Sequence, residues 1–334
     1  MAGPNPPRAT VARIAELSGV SQPVVSAVLG RGHGTVRFSE ATRKRVEAVA
    51  RKLGYRPNRT AAGLASGRHH ALGLLVNQFG YIHNEVFHQM LTRAAACGQV
   101  LILDAPGDDK HMPVFLREDC VDAVISFEDL PAGLCEGLDA AGLACVQVNT
   151  NQRAATGAIT FDEEQGMRLA LAHLVARGCT RIGLVIEAVP HYSTSLRRNG
   201  LRAAAADRGL TAPAVLDLQA GIFPSANQTD LCAKVVQFLE RHPRLDSLIM
   251  GNDRMAPFVY RAARECGRVI PDDLAVIGTN DDVFTAVVSP LLTSLFVDRE
   301  LLGRTVIDVA NRLIEEETSP PVVLPYELKL RESA

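Results

Sequence analysis

Between residues 10 and 30 the chain reads TVARIAELSGVSQPVVSAVLG, and its polar members suit hydrogen bonding to flat base edges. Ser21, Gln22, Val24 and Ser26 fall within one short segment. A glutamine amide sets a donor beside an acceptor, which pairs with an adenine edge, and a valine methyl suits a thymine methyl. Arg31, His33 and Arg37 follow in the stretch RGHGTVRF and can hold phosphate oxygens. Such groups read nothing unless a rigid element presents them.

The elements are legible. Thr10 can cap a first helix that runs to about Leu17, with Ile14 and Leu17 three apart on its inner face. Ser18-Gly19-Val20 makes a tight turn in which Gly19 is free to take positive φ. Ser21 caps a second helix, Pro23 sits in its first turn, and Val25 and Val28 face inward. Two short helices about a glycine turn describe a helix-turn-helix, whose second helix can enter a DNA major groove. Ser39 opens a third helix, with Val46, Val49, Ala50 and Leu53 at helical spacing and Arg43, Lys44, Arg45, Arg51 and Lys52 on its exposed side.

Charge agrees with that reading. Residues 1–68 hold 12 Lys and Arg against 3 Asp and Glu, a net of +9, whereas residues 69–334 hold 23 against 34, a net of −11. A basic front on an acidic body suits a polyanion for the front alone.

This front resembles the DNA-binding headpiece of the lactose-repressor (LacI/GalR) family. The resemblance rests on Val11-Ala12, Gly19-Val20-Ser21, Val25-Ser26, Val28-Leu29, Ser39, Thr42-Arg43, Val46, Leu53-Gly54-Tyr55, Pro57-Asn58, Ala61 and Leu64, in the family's order and spacing. It implies DNA contacts from Thr10, Ser21, Gln22, Val24, Ser26, Arg31 and Arg37. It further implies a hinge helix in residues 57–68 that orders on DNA, with Asn58, Arg59 and Ala61 beside the duplex and Leu64 as an apolar wedge. Many relatives carry Arg where this chain has Ala27, so a guanine-reading fork is absent and an A·T-leaning contact at Gln22 is expected.

From His70 the pattern changes. Short apolar runs, ALGLLV (71–76), VLILD (100–104), DAVISF (122–127) and ACVQV (144–148), alternate with helical stretches such as Glu85–Cys97. The pattern then restarts with ITFD (159–162), RIGLVI (181–186), AVLDL (214–218), SLIMG (247–251), LAVIG (274–278) and LTSLFV (292–297), separated by helices and closed by a long one over Arg299–Glu317. Alternation of this kind predicts two parallel, doubly wound α/β units, with ligands at the carboxyl ends of the strands. The stretch resembles the periplasmic sugar-binding fold carried by the same family. The expected division is 1–56 headpiece, 57–68 hinge and 69–334 ligand-binding core, with an N-subdomain of about 70–160 and 295–319 and a C-subdomain of about 161–294 and 320–334. The segment from Pro106 to Cys120 is short, so a reduced helix is expected there.

Family positions imply effector contacts at Arg197 in SLRRNGL, Asn252 in GNDRMA, Phe223 in GIFP and Asp162 in TFDEEQG, with Asp162 equally suited to a structural role. Phe79, His83 and Phe87 replace the family's usual pattern after the first strand, and Asn149 and Asn280 stand where a carboxylate is usual. Arg197 in a less acidic cleft leaves two effector classes open, a neutral sugar or a sugar acid or phosphate.

The expected protein is a transcriptional regulator, in all expectation a repressor, whose grip on a near-palindromic operator is adjusted by a sugar-like effector. It is expected to act as a homodimer in a bacterial cytoplasm, with no cofactor, no metal and no membrane. Seven scattered cysteines form no C-x-x-C pair, and no G-x-S-x-G or phosphate-loop motif occurs, so an enzyme is not expected. A periplasmic sugar-binding protein without a regulatory role is the alternative; the headpiece argues against it, as does an N-terminus that does not read as a signal peptide.

Overall fold

The computed structural model describes residues 9–29, 36–56, 63, 67–76, 84–105, 112–150, 157–188, 191–219, 228–316 and 318–334. Contacts divide the chain into two units, Met1–His70 with Cys120–Asp122, and Ala71–Asp119 with Ala123–Ala334.

Among its described residues the first unit carries the helices α1 (Val11–Ser18), α2 (Gln22–Leu29) and α3 (Glu40–Lys52). Thr10 caps α1 by accepting from the Arg13 N–H, and Ser39 caps α3 by accepting from that of Thr42. Gly19 ends α1 in the left-handed region at φ 65°. Gly54 does the same after α3, letting the Tyr55 N–H turn back to the Ala50 carbonyl at 2.9 Å. The core of this unit is Ile14, Ala15, Val25, Val46 and Ala50. Leu17 departs from expectation, for it is 48% exposed while Ser18 is buried. Ser18 stands 40° around the helix from Ile14, between it and Ala15, whereas Leu17 stands 60° to the other side of Ile14, away from the buried pair. Burying Ser18 is tolerated because its Oγ donates to the Ile14 carbonyl at 2.5 Å.

The second unit is built on two six-stranded sheets. The first holds β1 (Ala71–Leu75), β2 (Val100–Asp104), β3 (Ala123–Ser126), β4 (Ala144–Val148), β5 (Gly157–Phe161) and β11 (Val322–Leu324), in the order β11-β5-β4-β3-β1-β2. The second holds β6 (Ile182–Ala188), β7 (Ala214–Gln219), β8 (Ser247–Met250), β9 (Ala275–Thr279), β10 (Thr293–Phe296) and β12 (Glu327–Lys329), in the order β12-β10-β9-β8-β6-β7. Pairing is parallel except between β10 and β12. Strands β1, β3, β8 and β9 are buried along their whole length, as parallel strands covered on both faces must be, so they read as unbroken apolar runs. Both sheets repeat one doubly wound order in which the chain reverses direction beside its first strand, between β1 and β3 and between β6 and β8.

The helices of this unit are α4 (Asn84–Ala96), α5 (Val114–Arg117), α6 (Ala132–Ala140), α7 (Glu163–Ala176), α8 (Tyr192–Ala206), α9 (Gln228–Arg241), α10 (Ala256–Glu265) and α11 (Arg299–Glu316). The reduced helix is a single turn, α5, held by Phe115, which lies over Gly73 where a Cβ would stand 3.1 Å from the ring.

The chain passes between sheets at Asp162, at Val297-Asp298 and at Pro325-Tyr326. Two details differ from the sequence reading. The run at 159–162 ends the first sheet as β5, and residues 322–324, assigned above to the C-subdomain, pair in parallel with β5 in the first. Only residues 327–329 reach the second sheet, where they run antiparallel to β10. The physical reason is that a three-residue strand carries no sheet preference of its own, and a crossing of two residues separates the pair. Among the described residues no helix is long and apolar enough to cross a membrane.

Helices α4 and α11 pack closely at Gly303, where a Cβ would fall 2.6 Å from the Gln89 Cβ and 2.7 Å from the Val86 carbonyl oxygen. Gly303→Ala is therefore expected to cost roughly 1–3 kcal/mol of unfolding free energy in urea titration, because packed backbone must move. Gly133→Ala in α6, where nothing lies within 4 Å, is expected to be neutral or stabilising by up to about 1 kcal/mol through helix propensity.

Candidate DNA-reading and effector sites

In the first unit, α2 turns Val25 fully inward and leaves Ser21, Gln22 and Ser26 exposed, with Val24 half-buried at the margin. Gln22 and Ser26 lie four apart, on one face. Thr10 is exposed, and its Oγ1 accepts from the Arg13 N–H at 3.3 Å. Arg37 is exposed, as are Lys44, Arg45, Arg51 and Lys52 on α3. Arg43 lies 5.6 Å from the Phe38 ring centroid and 3.7 Å from Glu40. Exposed ion pairs of that kind are weak enough to be exchanged for phosphate. Arg31, Asn58, Arg59, Ala61 and Leu64 lie outside the described residues. If Gln22 reads an adenine edge, Gln22→Ala relaxes base preference at one position per half-site in a random-sequence binding selection, by roughly 1–3 kcal/mol. An unchanged preference would remove Gln22 from the reading set.

In the second unit, Asn149, Asp162, Asn252 and Asn280 stand just past the carboxyl ends of β4, β5, β8 and β9, and Arg197 lies within α8. Asn149 follows β4 at φ 53° and Asn280 follows β9 at φ 105°, both held there by N–H bonds of 2.7 Å, to the Ile159 and Leu295 carbonyls respectively. Asparagine tolerates this left-handed region better than most residues. The N-terminus of α8 grips Asn149. The Tyr192 hydroxyl donates to Asn149 Oδ1 at 2.6 Å, and His191 Nε2 bonds the Asn149 carbonyl at 2.8 Å. A carbonyl only accepts, so Nε2 carries the proton. His191 Nδ1 is then free to accept from the Ser193 N–H at 3.3 Å, capping α8. The α8 clasp thus joins a strand end of the first sheet to the second.

Asp162 caps α7, accepting from the Gln165 N–H at 3.0 Å, so a structural role is directly visible. Asn252 uses its Oδ1 to cap the turn at Asp253–Met255, accepting from the Arg254 N–H at 3.0 Å. Among the described residues the Nδ2 groups of Asn149, Asn252 and Asn280 have no partner, which leaves three amide donors at strand ends. Phe79, His83 and Phe223 lie outside the described residues.

Arg197 is not an open fork. Its Nε donates to Glu163 Oε2 at 2.7 Å, and its Nη2 donates to Glu163 Oε1 at 3.1 Å and to the Tyr326 hydroxyl at 3.0 Å. Its Nη1 donates to the Gly251 carbonyl at 2.6 Å. Burial works against the Arg197 charge, but the Glu163 carboxylate outweighs it and holds the guanidinium firmly protonated. Close by, burial raises the carboxyl of Glu187 above its ordinary range, against the opposing pull of Arg254 and Arg197.

Asp253, adjacent to Asn252, is fully buried. Its Oδ2 accepts from the Asp282 N–H at 2.8 Å, and the Ser294 hydroxyl reaches both carboxylate oxygens at 2.9 and 3.0 Å. Gly278 lies so close that a Cβ there would overlap the carboxylate. Asp281 contrasts with it. Burial works to raise its carboxyl, but hydrogen bonds and charge from Arg331 and Lys329 hold it below the usual range.

Sequence reasoning missed Glu163, Tyr326, His191 and Tyr192. Glu163 reads locally as an ordinary acid in a helical first turn, and its partner is 34 residues away. Nothing short-range signals the others.

For Asp253, burial pushes the carboxyl up to about 8 from an ordinary 3.8, against the Asp282 N–H and Ser294 O–H that favour the charged form. The unfolded group ionises first as pH rises, so its stabilising contribution is complete below 3.8 and is lost on approaching 8. Asp253→Asn is expected to flatten the fall in unfolding free energy between those limits by at least about 1 kcal/mol, read from urea midpoints at both ends. An equal slope in the two proteins would show that Asp253 is ionised throughout.

Residues 10–58 match the profile of bacterial regulatory proteins, lacI family, and residues 171–334 match that of a periplasmic binding protein-like domain. The chain is 27% identical over 325 residues to the HTH-type transcriptional repressor PurR of Aliivibrio fischeri (strain MJ11), covering 92% of this chain and 93% of that one. It is 27% identical over 338 residues to the ribose operon repressor of Escherichia coli (strain K12), covering 93% and 94%. Among solved structures, the Lac repressor dimer bound to operator and the anti-inducer ONPF shares the fold, with TM-score 0.76, 24% identity, and 98% and 99% of the two chains covered. The transcriptional regulator CelR–cellobiose complex does so with TM-score 0.67, 24% identity, and 98% and 100% covered. The two profiles fall in the order that the helical unit and the paired sheets follow along the chain, and the relatives are transcriptional regulators matched over nearly their full length. The chain thus carries a lacI-family regulatory domain at residues 10–58 and a periplasmic binding protein-like domain at residues 171–334.

Proposed function

We propose that the protein is an operator-binding repressor that works as a homodimer in the cytoplasm and whose affinity for DNA is set by a small, sugar-like effector. The observation that carries this is α2 with the residue before it, which leaves Ser21, Gln22 and Ser26 exposed on a lacI-family headpiece followed by a body whose sheets twice create a ligand-accepting reversal. The DNA set is Thr10, Ser21, Gln22, Val24, Ser26, Arg31 and Arg37, with Asn58, Arg59, Ala61 and Leu64 acting from the hinge. The effector set is Phe79, His83, Asn149, Asp162, Phe223, Asn252 and Asn280, with Arg197 behind them. The proposed division is headpiece 1–56, hinge 57–68 and two-part core 69–334, with 322–324 in the first subdomain.

Several findings support this. Cellobiose occupies CelR, and the Lac repressor structure is a dimer on its operator. Asn149, gripped from α8, is a point at which a ligand alters how the two sheets are held together, and allostery of this kind is a coupling free energy between two sites. The body acts as a binding module rather than a catalyst; turnover of any effector by purified protein would contradict that. A sugar-binding protein without a regulatory role does not account for the headpiece.

The test is selection of bound fragments from random DNA, with and without a sugar panel. Near-palindromic sites with half-sites about one helical turn apart are expected, and one sugar is expected to change their recovery. Leu64→Ala is expected to weaken operator binding by at least about tenfold while sugar binding persists, since the wedge contributes to the bent complex. Failure to enrich any duplex at low ionic strength would overturn the proposal.

A further inference from the structure

Resting on the effector site proposed above, we infer that Glu163 is a specificity-determining residue: it withdraws Arg197 from anion recognition, so that the effector is an uncharged polyhydroxyl compound bound by amides. The family position of Arg197 invites the opposite reading, an arginine fork awaiting a carboxylate or phosphate. The geometry closes that fork. Of the five N–H donors of a guanidinium, four are committed, two of them to the carboxylate oxygens of Glu163. Glu163 is 1% exposed and Arg197 8%, so neither charge is screened by water, and each needs the other. The Tyr326 hydroxyl closes the ring by donating to Glu163 Oε1 at 3.2 Å while accepting from Arg197. An anionic ligand would have to displace a buried carboxylate already held at bidentate distance.

Among the described residues, Arg254 and Arg299 also face carboxylates. Arg254 lies 3.3 Å from Asp282, and Arg299 spans Glu85 at 2.5 Å and Asp281 at 3.7 Å. Glu187 adds a further carboxyl at the end of β6. Against this neutral-to-acidic ground stand the Nδ2 donors of Asn149, Asn252 and Asn280, which suit hydroxyl oxygens and carry no charge. The two effector classes compatible with the sequence thereby reduce to the neutral one.

The test uses full-length protein and works whichever sugar the effector is. Wild type, Glu163→Gln, Arg197→Gln and the double variant are titrated with inorganic phosphate at constant ionic strength, by calorimetry and thermal unfolding. D-glucose and D-gluconate serve as a matched neutral and acidic pair. Wild type is expected to show no phosphate response that depends on Arg197. E163Q, with its guanidinium released, is expected to gain phosphate affinity at least about tenfold, and the double variant to lose that gain. The inference is overturned by a wild-type phosphate or gluconate response that Arg197→Gln abolishes, by a folded E163Q that gains nothing, or by equal gains in E163Q and the double variant. Should E163Q fail to fold, the comparison of wild type with Arg197→Gln decides alone: an Arg197-dependent phosphate response overturns the inference and its absence supports it. Operator selection on the same preparations separates the two readings, since loss of DNA binding overturns the regulatory proposal and leaves the phosphate result intact.

Discussion

A buried ion pair between α7 and α8 organises the ligand-binding body. Two charges out of water cost several kcal/mol each, and their mutual attraction offsets this only when geometry is good and the remaining donors are satisfied. Arg197 and Glu163 meet that condition through Tyr326 and the Gly251 carbonyl. The pair holds together elements far apart in the chain. Glu163 begins the helix after the first crossing between sheets, Tyr326 sits in the third, and Gly251 follows β8 of the second sheet. Removing either charge alone would strand its partner in a medium that cannot solvate it.

A second tie joins the same crossings without charge. The Gln165 side chain donates to the Tyr326 carbonyl at 3.0 Å and accepts from the Tyr326 N–H at 2.9 Å, as a peptide group would. The Asp162 N–H also bonds the Leu324 carbonyl at 2.9 Å. The first and third crossings therefore act as one strap. The second crossing is tied elsewhere, through Arg299, which donates to the carbonyls of Asn280 and Asp281 and pairs with Glu85 on α4. Motion of one sheet against the other must work through these straps and through the α8 clasp on Asn149. The proposed effector residues thus share strand ends with these ties, as the proposed coupling of a small ligand to DNA binding needs.

Some of this was open to inspection in one dimension. The headpiece was readable because its signals are local: caps at Thr10 and Ser39, a left-handed Gly19, and apolar positions at helical spacing. Its one error, Leu17, arose from choosing a three-residue step where the four-residue one carried the core. The strands of the body were readable because parallel strands buried on both faces become continuous apolar runs. The last thirteen residues were assigned less well. Val322–Leu324 and Glu327–Lys329 are three residues each, and which sheet receives them is decided by neighbours, not by their own composition.

Sequence alone determined the class of protein, the order of its parts and the helix proposed to face DNA, because caps, turns and hydrophobic periods act between residues a few positions apart. It also pointed to Asn149, Asp162, Arg197, Asn252 and Asn280 as candidate effector contacts. What each of these does was decided only in three dimensions. Asp162 proved to be a cap, Asn149 a gripped strand end, and Arg197 the partner of a glutamate 34 residues distant. The reason is electrostatic. A charge takes its meaning from whatever lies within a few ångströms of it in a low dielectric, and the fold, not the chain, sets those distances.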